Sequence, residues 1–281
     1  MGGARQDIEK HINRLHSGGR LRVWSLIVTF FGDAVNPRGG RVALSVLQDA
    51  MALLSIEAGA VRTALSRLAS DGWVEREREG RLSFYALSPQ GRFAFDEATR
   101  RIYSPGPPDW QGDWTIAITD ADHADRMRAH GFVLLGGPAW IKAGDEPGDP
   151  PQDVLVIRGQ GTSFPPGLIR LWEPETLAAQ YEAFIANWQG FDPAGLSPVE
   201  AMAARTLLIH DWRRIVLRDP DLPAALLPDD WPGSRALELV RPLYAHLAEP
   251  SEKWLDDAGL PPATSAGAVT SRFIVLRNIA D

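Results

Sequence analysis

The stretch AVRTALSRLASDGWVEREREGRLSFYALSPQGR, residues 60–92, restricts the possible folds more than any other part of the chain. Val61, Leu65 and Leu68 recur at helical spacing and predict an inward stripe. That leaves Arg62 and Ser66, and Thr63 and Arg67, one turn apart on outward faces. Asp71-Gly72 stops the helix. Residues 73–78 and 82–87 then alternate around Glu79-Gly80-Arg81, which predicts a two-stranded hairpin, and Ser88-Pro89 starts another helix. Upstream, residues 21–31 read as a buried first helix closed by Gly32 and the Asn36-Pro37-Arg38-Gly39-Gly40 corner. Leu44, Leu47, Met51 and Leu54 predict a second amphipathic helix over residues 42–54.

Three helices followed by a hairpin is the order of a winged helix-turn-helix, whose third helix enters the major groove while the hairpin follows the phosphates. Outward Arg, Thr and Ser side chains suit phosphate oxygens and base edges. The candidate DNA contacts are Arg38, Arg41, Arg62, Thr63, Ser66, Arg67, Arg76, Arg78 and Arg81. Two observations pull the other way. Arg62 and Arg67 can equally serve a surface helix by pairing with Glu57 and Asp71, and Glu75, Glu77 and Glu79 interleave the hairpin arginines and oppose phosphate. The net charge of −7 excludes a protein that coats nucleic acid with its whole surface, but the charge is unevenly spread. Residues 1–104 carry 15 Lys+Arg against 11 Asp+Glu, whereas residues 105–281 carry 14 against 25.

Zero cysteines exclude disulfides, thiolate zinc sites and cysteine nucleophiles and fit a reducing compartment. The six histidines are scattered, so no structural metal and no cofactor is expected. Gly159-Gln160-Gly161 lacks the third glycine of a dinucleotide loop, and neither a nucleophile elbow nor a phosphate-cradling Walker loop is present. The apolar stretch 21–31 contains Arg22 and is shorter than the roughly 20 residues that span a bilayer. No apolar leader follows the opening MGGARQ. The expected location is the cytoplasm, with no membrane partner.

Beyond the Pro-rich segment YSPGPPDW, residues 103–110, the pattern changes. Residues 114–119 read as a strand, 121–130 as a helix, and 132–135 and 139–142 as strands around Gly136-Gly137-Pro138. A polar loop over 144–153, a strand over 154–158 and a helix over 174–188 follow. This order is compatible with a ferredoxin-like sandwich. Thr119 and Asp120 are expected to cap the helix that follows them; Asp120 as a metal ligand would instead imply a nuclease. From Ser197 the chain reads as helical, over 201–217 and 235–247. Between these helices, Asp219-Pro220, Leu222-Pro223, Leu227-Pro228 and Trp231-Pro232 form an extended crossing able to wall a pocket. His210, Arg213 and Arg214 beside Trp212 suit a ligand with anionic groups and an apolar end. The same arginines can instead pair with Asp211, Asp219, Asp221 or Asp229. The expected organisation is α+β: a winged helix-turn-helix over 1–104, a ferredoxin-like α/β sandwich over 105–190 and a mostly helical effector and dimerisation domain over 191–281.

FGDAVNPRGGRVAL (31–44), AVRTALSRLASDGWVE (60–75), LSPQGR (87–92), RLWEPETLAAQYEAF (170–184) and RTLLIHDWRRIVLRDPDLPAALLPDDWPG (205–233) together resemble the PaaX family of bacterial transcriptional repressors. The resemblance covers nearly the full chain. It implies a homodimeric repressor of phenylacetate catabolism genes that binds double-stranded operator DNA and releases it when phenylacetyl-coenzyme A, or a related acyl-coenzyme A, is bound. It also implies a central domain similar to the small CRISPR-associated endonucleases, for which the alternative function is a metal-dependent nuclease. Glu57 stands where the family usually places a small hydroxyl residue as helix cap, and Trp212 where tyrosine is usual. A carboxylate at Glu57 is expected to accept the same backbone bonds while facing phosphate less well.

Overall fold

A computed structural model describes residues 3–19, 21–107, 110–120, 123–144, 153–161, 165, 167–263 and 272–275. Pro108, Asp109, Ala121, Asp122 and most of the polar loop expected over 144–153 lie outside the described residues. The chain forms a mixed helix and strand structure with two antiparallel sheets and a helical C-terminal part.

Its residues divide into two compact units, and the boundaries are not those expected from the sequence. Met1–Pro105, Phe184–Leu217 and Leu237–Asp281 form the first, and Gly106–Ala183 with Arg218–Ala236 the second. The helices expected to form a separate C-terminal domain instead belong largely to the same unit as the DNA-reading candidates.

In the first unit, α2 (Val23–Phe30), α3 (Leu44–Ala52) and α4 (Ala58–Ser70) enclose a core of Leu26, Ile27, Phe30, Leu47, Met51, Leu54 and the α4 stripe Val61, Leu65 and Leu68. Each stripe side chain contributes about 1.5–3 kcal/mol by leaving water, which is why the helix turns Arg62, Thr63, Ser66 and Arg67 outward. The hairpin forms from β2 (Val74–Glu79) and β3 (Leu82–Leu87). Residues 42 and 43, expected to open the second helix, extend as β1 (Arg41–Ala43) and add a third strand beside β3. The left-handed corner at Gly39 and Gly40 and the β-branched Val42 favour this extended entry. α5 (Pro89–Ile102) is capped by Ser88, whose Oγ accepts from the Gly91 amide at 2.9 Å. Gly91 is obligatory at this position, since a Cβ would lie 2.3 Å from the Trp73 carbonyl oxygen.

α2 ends in a π-helical turn, Phe31–Val35, where a Cβ on Gly32 would stand 2.9 Å from the Phe95 ring. α1 (Gly3–Ser17), not anticipated from the sequence, packs on α8 (Pro198–Val216). α8 begins with a reciprocal cap between Ser197 and Glu200. The Ser197 hydroxyl and Arg5 hold the Glu200 carboxyl down to about 2. α9 (Pro232–Asp257) is longer than expected and continues through Pro242 and Pro250. α10 (Arg272–Val275) is a single further turn.

The second unit holds β4 (Asp113–Ile118), α6 (Ala124–Ala129), β5 (Val133–Gly136), β6 (Ala139–Ala143) and β7 (Leu155–Gln160). The sheet runs β5-β6-β4-β7 with every neighbour antiparallel. Ala117, Trp140, Val154 and Met127 of α6 form one cluster, and Trp114, Ile141, Trp172 and Leu222 another. The proline crossing therefore contributes Leu222 to a core rather than standing free. α7 (Pro174–Trp188) starts in this unit and ends in the first. Asp120 Oδ1 lies 2.9 Å from Nδ1 of His123, which occupies the cap position of α6 and makes no side-chain cap bond; residues 121 and 122, where the expected helix starts, lie outside the described residues.

Candidate nucleic-acid interface

The outward face of α4 presents Arg62, Thr63, Ser66 and Arg67, all exposed. Arg62 makes no ion pair among the described residues, and Arg67 makes only an exposed 3.6 Å contact with Asp71. Such a pair contributes about 0–1 kcal/mol and is easily exchanged for phosphate. Thr63 Oγ1 donates to the Gly59 carbonyl at 3.1 Å, within its own helix. Glu57 occupies the cap position of α4 but makes no side-chain cap bond, contrary to the expectation from the sequence; its carbonyl accepts from the Ala60 and Val61 amides at 3.0 and 3.2 Å.

Strand alternation resolves the conflict between the arginines and glutamates of the hairpin. Arg76 and Arg78 share a face with Val74, Ser83, Tyr85 and Leu87, as the register Arg76↔Tyr85 and Arg78↔Ser83 requires. Val74, Tyr85 and Leu87 are buried, so this is the face that packs on the helices farther from the hairpin tip. Glu75, Glu77 and Glu79 lie on the opposite face with Phe84. The basic face thus stands on the α4 side of the hairpin, with Arg76 donating to Ser83 Oγ at 2.9 Å and Arg81 exposed at the tip.

Two of the predicted contacts must be corrected. Arg38 is 3% exposed and directed inward. It donates to Glu252 at 2.6 Å, to Asp256 at 2.8 Å and to the Pro261 carbonyl at 3.0 Å, so every donor direction is used inside the protein. Arg41 is half-buried on the acidic face of the hairpin, where it pairs with Glu77 at 2.8 Å and Glu79 at 2.5 Å and lies 3.8 Å over the Phe84 ring. It staples the hairpin and neutralises two of its three glutamates.

Around the π-turn that ends α2 lies a buried network that sequence reasoning missed. Asp33, in the π-turn of α2, is 2% exposed and pairs with Arg205 of α8, which is fully buried, at 2.7 Å. Tyr244 donates to Asp33 Oδ1 at 2.8 Å, Tyr103 to the same oxygen at 2.5 Å, and Arg272 at 3.1 Å. Arg205 also reaches Ser251 at 2.9 Å and Glu252 at 2.6 Å. Burial pushes the Asp33 carboxyl up, but Arg205, Arg272 and the hydrogen bonds from Arg205 and Tyr103 outweigh it and hold the group below its ordinary value. Burial next to Asp33 drives Tyr244 up to about 12. The network joins α2, α5, α8, α9 and α10, and its Asp33 and Arg38 both lie in the 31–44 motif.

The predicted ligand residues do not form one open site. His210 is buried, its Nδ1 3.0 Å from Thr29 Oγ1, and burial together with Arg213 and Arg214 lowers it to about 3. Trp212 is buried with Nε1 donating to the Ile102 carbonyl at 2.8 Å. Both are corrected to structural roles. Arg214 is exposed. Arg213 differs: it has no carboxylate partner among the described residues, its Nε lacks any hydrogen bond, and burial with Arg214 lowers it to about 10. Its Nη1 makes a 3.4 Å contact with Thr29 Oγ1 of α2. Asp211 pairs with Arg14 at 2.6 Å and accepts from Trp188 at 3.1 Å, so it is not the partner of Arg213. A surface cleft of about 520 Å³ opens between α1 and the end of α7, lined by Lys10, His11, Arg14 and Phe191 among others, and none of the predicted ligand residues lines it. No group of His, Asp and Glu side chains among the described residues could hold a metal ion.

Comparison with known proteins identifies the same two regions. Residues 22–91 match the PaaX-like protein family and residues 172–257 match the PaaX-like protein C-terminal domain. The chain is 30% identical over 264 residues to the transcriptional repressor PaaX of Escherichia coli (strain K12), covering 84% of this chain and 83% of that protein. An uncharacterized protein of Mycobacterium tuberculosis, Rv0674, has a similar fold, with a TM-score of 0.50 at 23% identity over 77% of this chain and 91% of its own.

Proposed function

Because this chain belongs to the PaaX-like family, we propose that it is a transcriptional repressor that reads operator DNA with α4 and is released by an anionic small molecule. The family is one of regulators and the chain is not an enzyme. A nuclease role for the central unit finds no support in Asp120, whose exposed carboxylate contacts His123. No helix among the described residues is long and apolar enough to cross a membrane. In this reading a repressor of chromosomal genes works in the cytoplasm.

The observation that carries the reading is the outward face of α4 joined to a hairpin whose arginines share one face. In this reading α2, α3 and α4 with the three-stranded sheet form a winged helix-turn-helix. α4 enters the major groove with Arg62, Thr63, Ser66 and Arg67 toward base edges and phosphates, while Arg76, Arg78 and Arg81 neutralise the flanking backbone. The glutamates face away from DNA and cost little. The strand order β5-β6-β4-β7, with all neighbours antiparallel, supports a ferredoxin-like sheet in the second unit. Two-fold association of two chains would match a pseudo-palindromic operator.

The effector is proposed to be phenylacetyl-coenzyme A or a related acyl-coenzyme A. Support comes from Arg213, a half-buried side chain whose enclosed Nε has no hydrogen-bond partner and which has no counter-ion among the described residues. An unpaired buried cation is stabilised by any anion that reaches it. Arg213 touches α2 through Thr29, and α2 packs on α4, so a bound anion would bias the helix that supports the reading helix. The test is fluorescence anisotropy of the full chain with a duplex that it enriches from a random-sequence pool, followed by titration with phenylacetyl-coenzyme A. Enrichment of a defined sequence and its release by the thioester are expected. Failure to enrich any sequence would refute the repressor reading, and enrichment without release would refute the effector.

A further inference from the structure

The single turn α10 carries two side chains into the buried network around the π-turn that ends α2. Arg272 Nη1 donates to the Asp33 carbonyl oxygen at 3.0 Å, to Asp33 Oδ1 at 3.1 Å and to the Tyr103 hydroxyl at 3.0 Å, and its guanidinium lies 4.6 Å over the Tyr103 ring. Phe273, buried beside it, meets Tyr103 edge-on at 5.2 Å and Tyr244 at 5.5 Å. The receiving groups come from three elements: Asp33 from the π-turn of α2, Tyr103 from the end of α5 and Tyr244 from α9.

The charges explain why this docking matters to the helix that reads DNA. Asp33, Glu252 and Asp256 face Arg205, Arg38 and Arg272, an even balance in which Arg272 alone is delivered by the C-terminal turn. Without Arg272 the Asp33 carbonyl keeps only Arg205 Nη2 at 3.1 Å and Oδ1 only the two tyrosine hydroxyls, so a buried site loses one of its charged donors and its even balance of charge. A four-residue helix has no stability of its own, because nucleation fixes more dihedrals than its hydrogen bonds repay. α10 is thus held by what its side chains touch, and such elements open at low free energy compared with the core.

We propose that Arg272 and Phe273 form a latch: docked, they hold the π-turn of α2, and through it α4, in the arrangement that binds operator; undocked, the chain loses operator affinity. Both are positioning residues that touch no DNA. The proposal rests on the repressor reading above. Linkage makes it reciprocal, so operator DNA must favour the docked latch by the same factor by which docking favours operator.

The experiment uses the full-length chain and a duplex enriched from a random-sequence pool by the wild-type protein. Operator affinity is measured for the wild type, for R272A/F273A and for R272K, and hydrogen exchange of the peptide carrying residues 272–275 is measured with and without duplex. The double variant is expected to bind the duplex about tenfold more weakly, a usual size for coupling between sites. R272K, which keeps the charge but loses the guanidinium fork, should bind about three- to fivefold more weakly than the wild type. Duplex should slow exchange of the wild-type peptide while leaving that of the double variant unchanged. Should the double variant fail to fold, R272K affinity and wild-type exchange decide. Affinity within twofold of wild type in either variant, or wild-type exchange indifferent to duplex, would overturn the latch while leaving the repressor reading intact. Failure of the wild type to enrich any duplex would remove both.

Discussion

Replacing Asp33 by asparagine perturbs the network at its centre with the least change in shape. The carboxylate is 2% exposed and its partner Arg205 is fully buried, so solvent screens neither member. Removing one charge of such a pair costs about 3–5 kcal/mol, because the other remains buried without compensation. Arg205 keeps Glu252 at 2.6 Å, which puts the expected loss near the lower end, about 3 kcal/mol. At about 2–4 °C per kcal/mol for a protein of this size, the melting temperature should drop by about 6–12 °C. The pH dependence follows from the depressed Asp33 carboxyl. Its contribution is fully present above the unfolded value near ~4 and is lost as pH falls through the folded value, below that. The gap between wild type and D33N should therefore be constant from neutrality down to about pH 5 and close only in stronger acid. Urea and thermal unfolding followed by circular dichroism at several pH values would measure it. A loss below about 1 kcal/mol at neutral pH, the range of exposed pairs, would refute the buried-hub account.

Other outcomes follow from the same geometry. Alanine at Arg78 and Arg81 should weaken binding to all DNA sequences alike and lower the salt slope by about 0.9 for each phosphate no longer neutralised, whereas Glu75→Gln, on the opposite face, should leave affinity unchanged; anisotropy titrations across salt concentrations distinguish the two. Arg213→Leu removes a half-buried cation without a carboxylate partner among the described residues, so calorimetry should show loss of phenylacetyl-coenzyme A binding with thermal stability kept or raised. Gly91→Ala places a Cβ against the Trp73 carbonyl and should cost about 1–3 kcal/mol in chemical denaturation, without a direct effect on DNA contacts.

Local features were readable in the sequence and long-range ones were not. The α4 stripe, the hairpin and the Ser88 cap are set by spacings within a few residues, and the structure has each of them. The segregation of hairpin charges also follows from strand alternation, although the interleaved glutamates looked like opposition until the register was known. Arg38 read as a surface cation in a Gly/Pro corner because its partner Glu252 is 214 positions away, and Asp33 gave no signal of Arg205 at a separation of 172. α1 was missed because only Ile8 and His11 are buried along its 15 residues, too few for a clear stripe. α9 outran its expected end because Pro250 reads as a stop, yet Leu255 and the Ser251 hydroxyl, which donates to the Ala248 carbonyl at 2.8 Å, hold the helix beyond it. The candidate ligand site failed for a similar reason: His210 and Trp212 are bonded to Thr29 and Ile102, which are remote in sequence.

The most direct test of DNA reading by the outward face of α4 is the affinity of wild type and Arg62→Ala for the enriched duplex and for a scrambled one, across salt concentrations. Arg62 is exposed and makes no ion pair among the described residues, so its removal should leave stability within about 0.5 kcal/mol of wild type. The account predicts that the variant binds the enriched duplex at least about tenfold more weakly, in line with a base interaction worth about 1–3 kcal/mol, with a smaller preference over the scrambled duplex. An Arg62→Ala protein that is equally stable and discriminates the two duplexes as well as the wild type would contradict it.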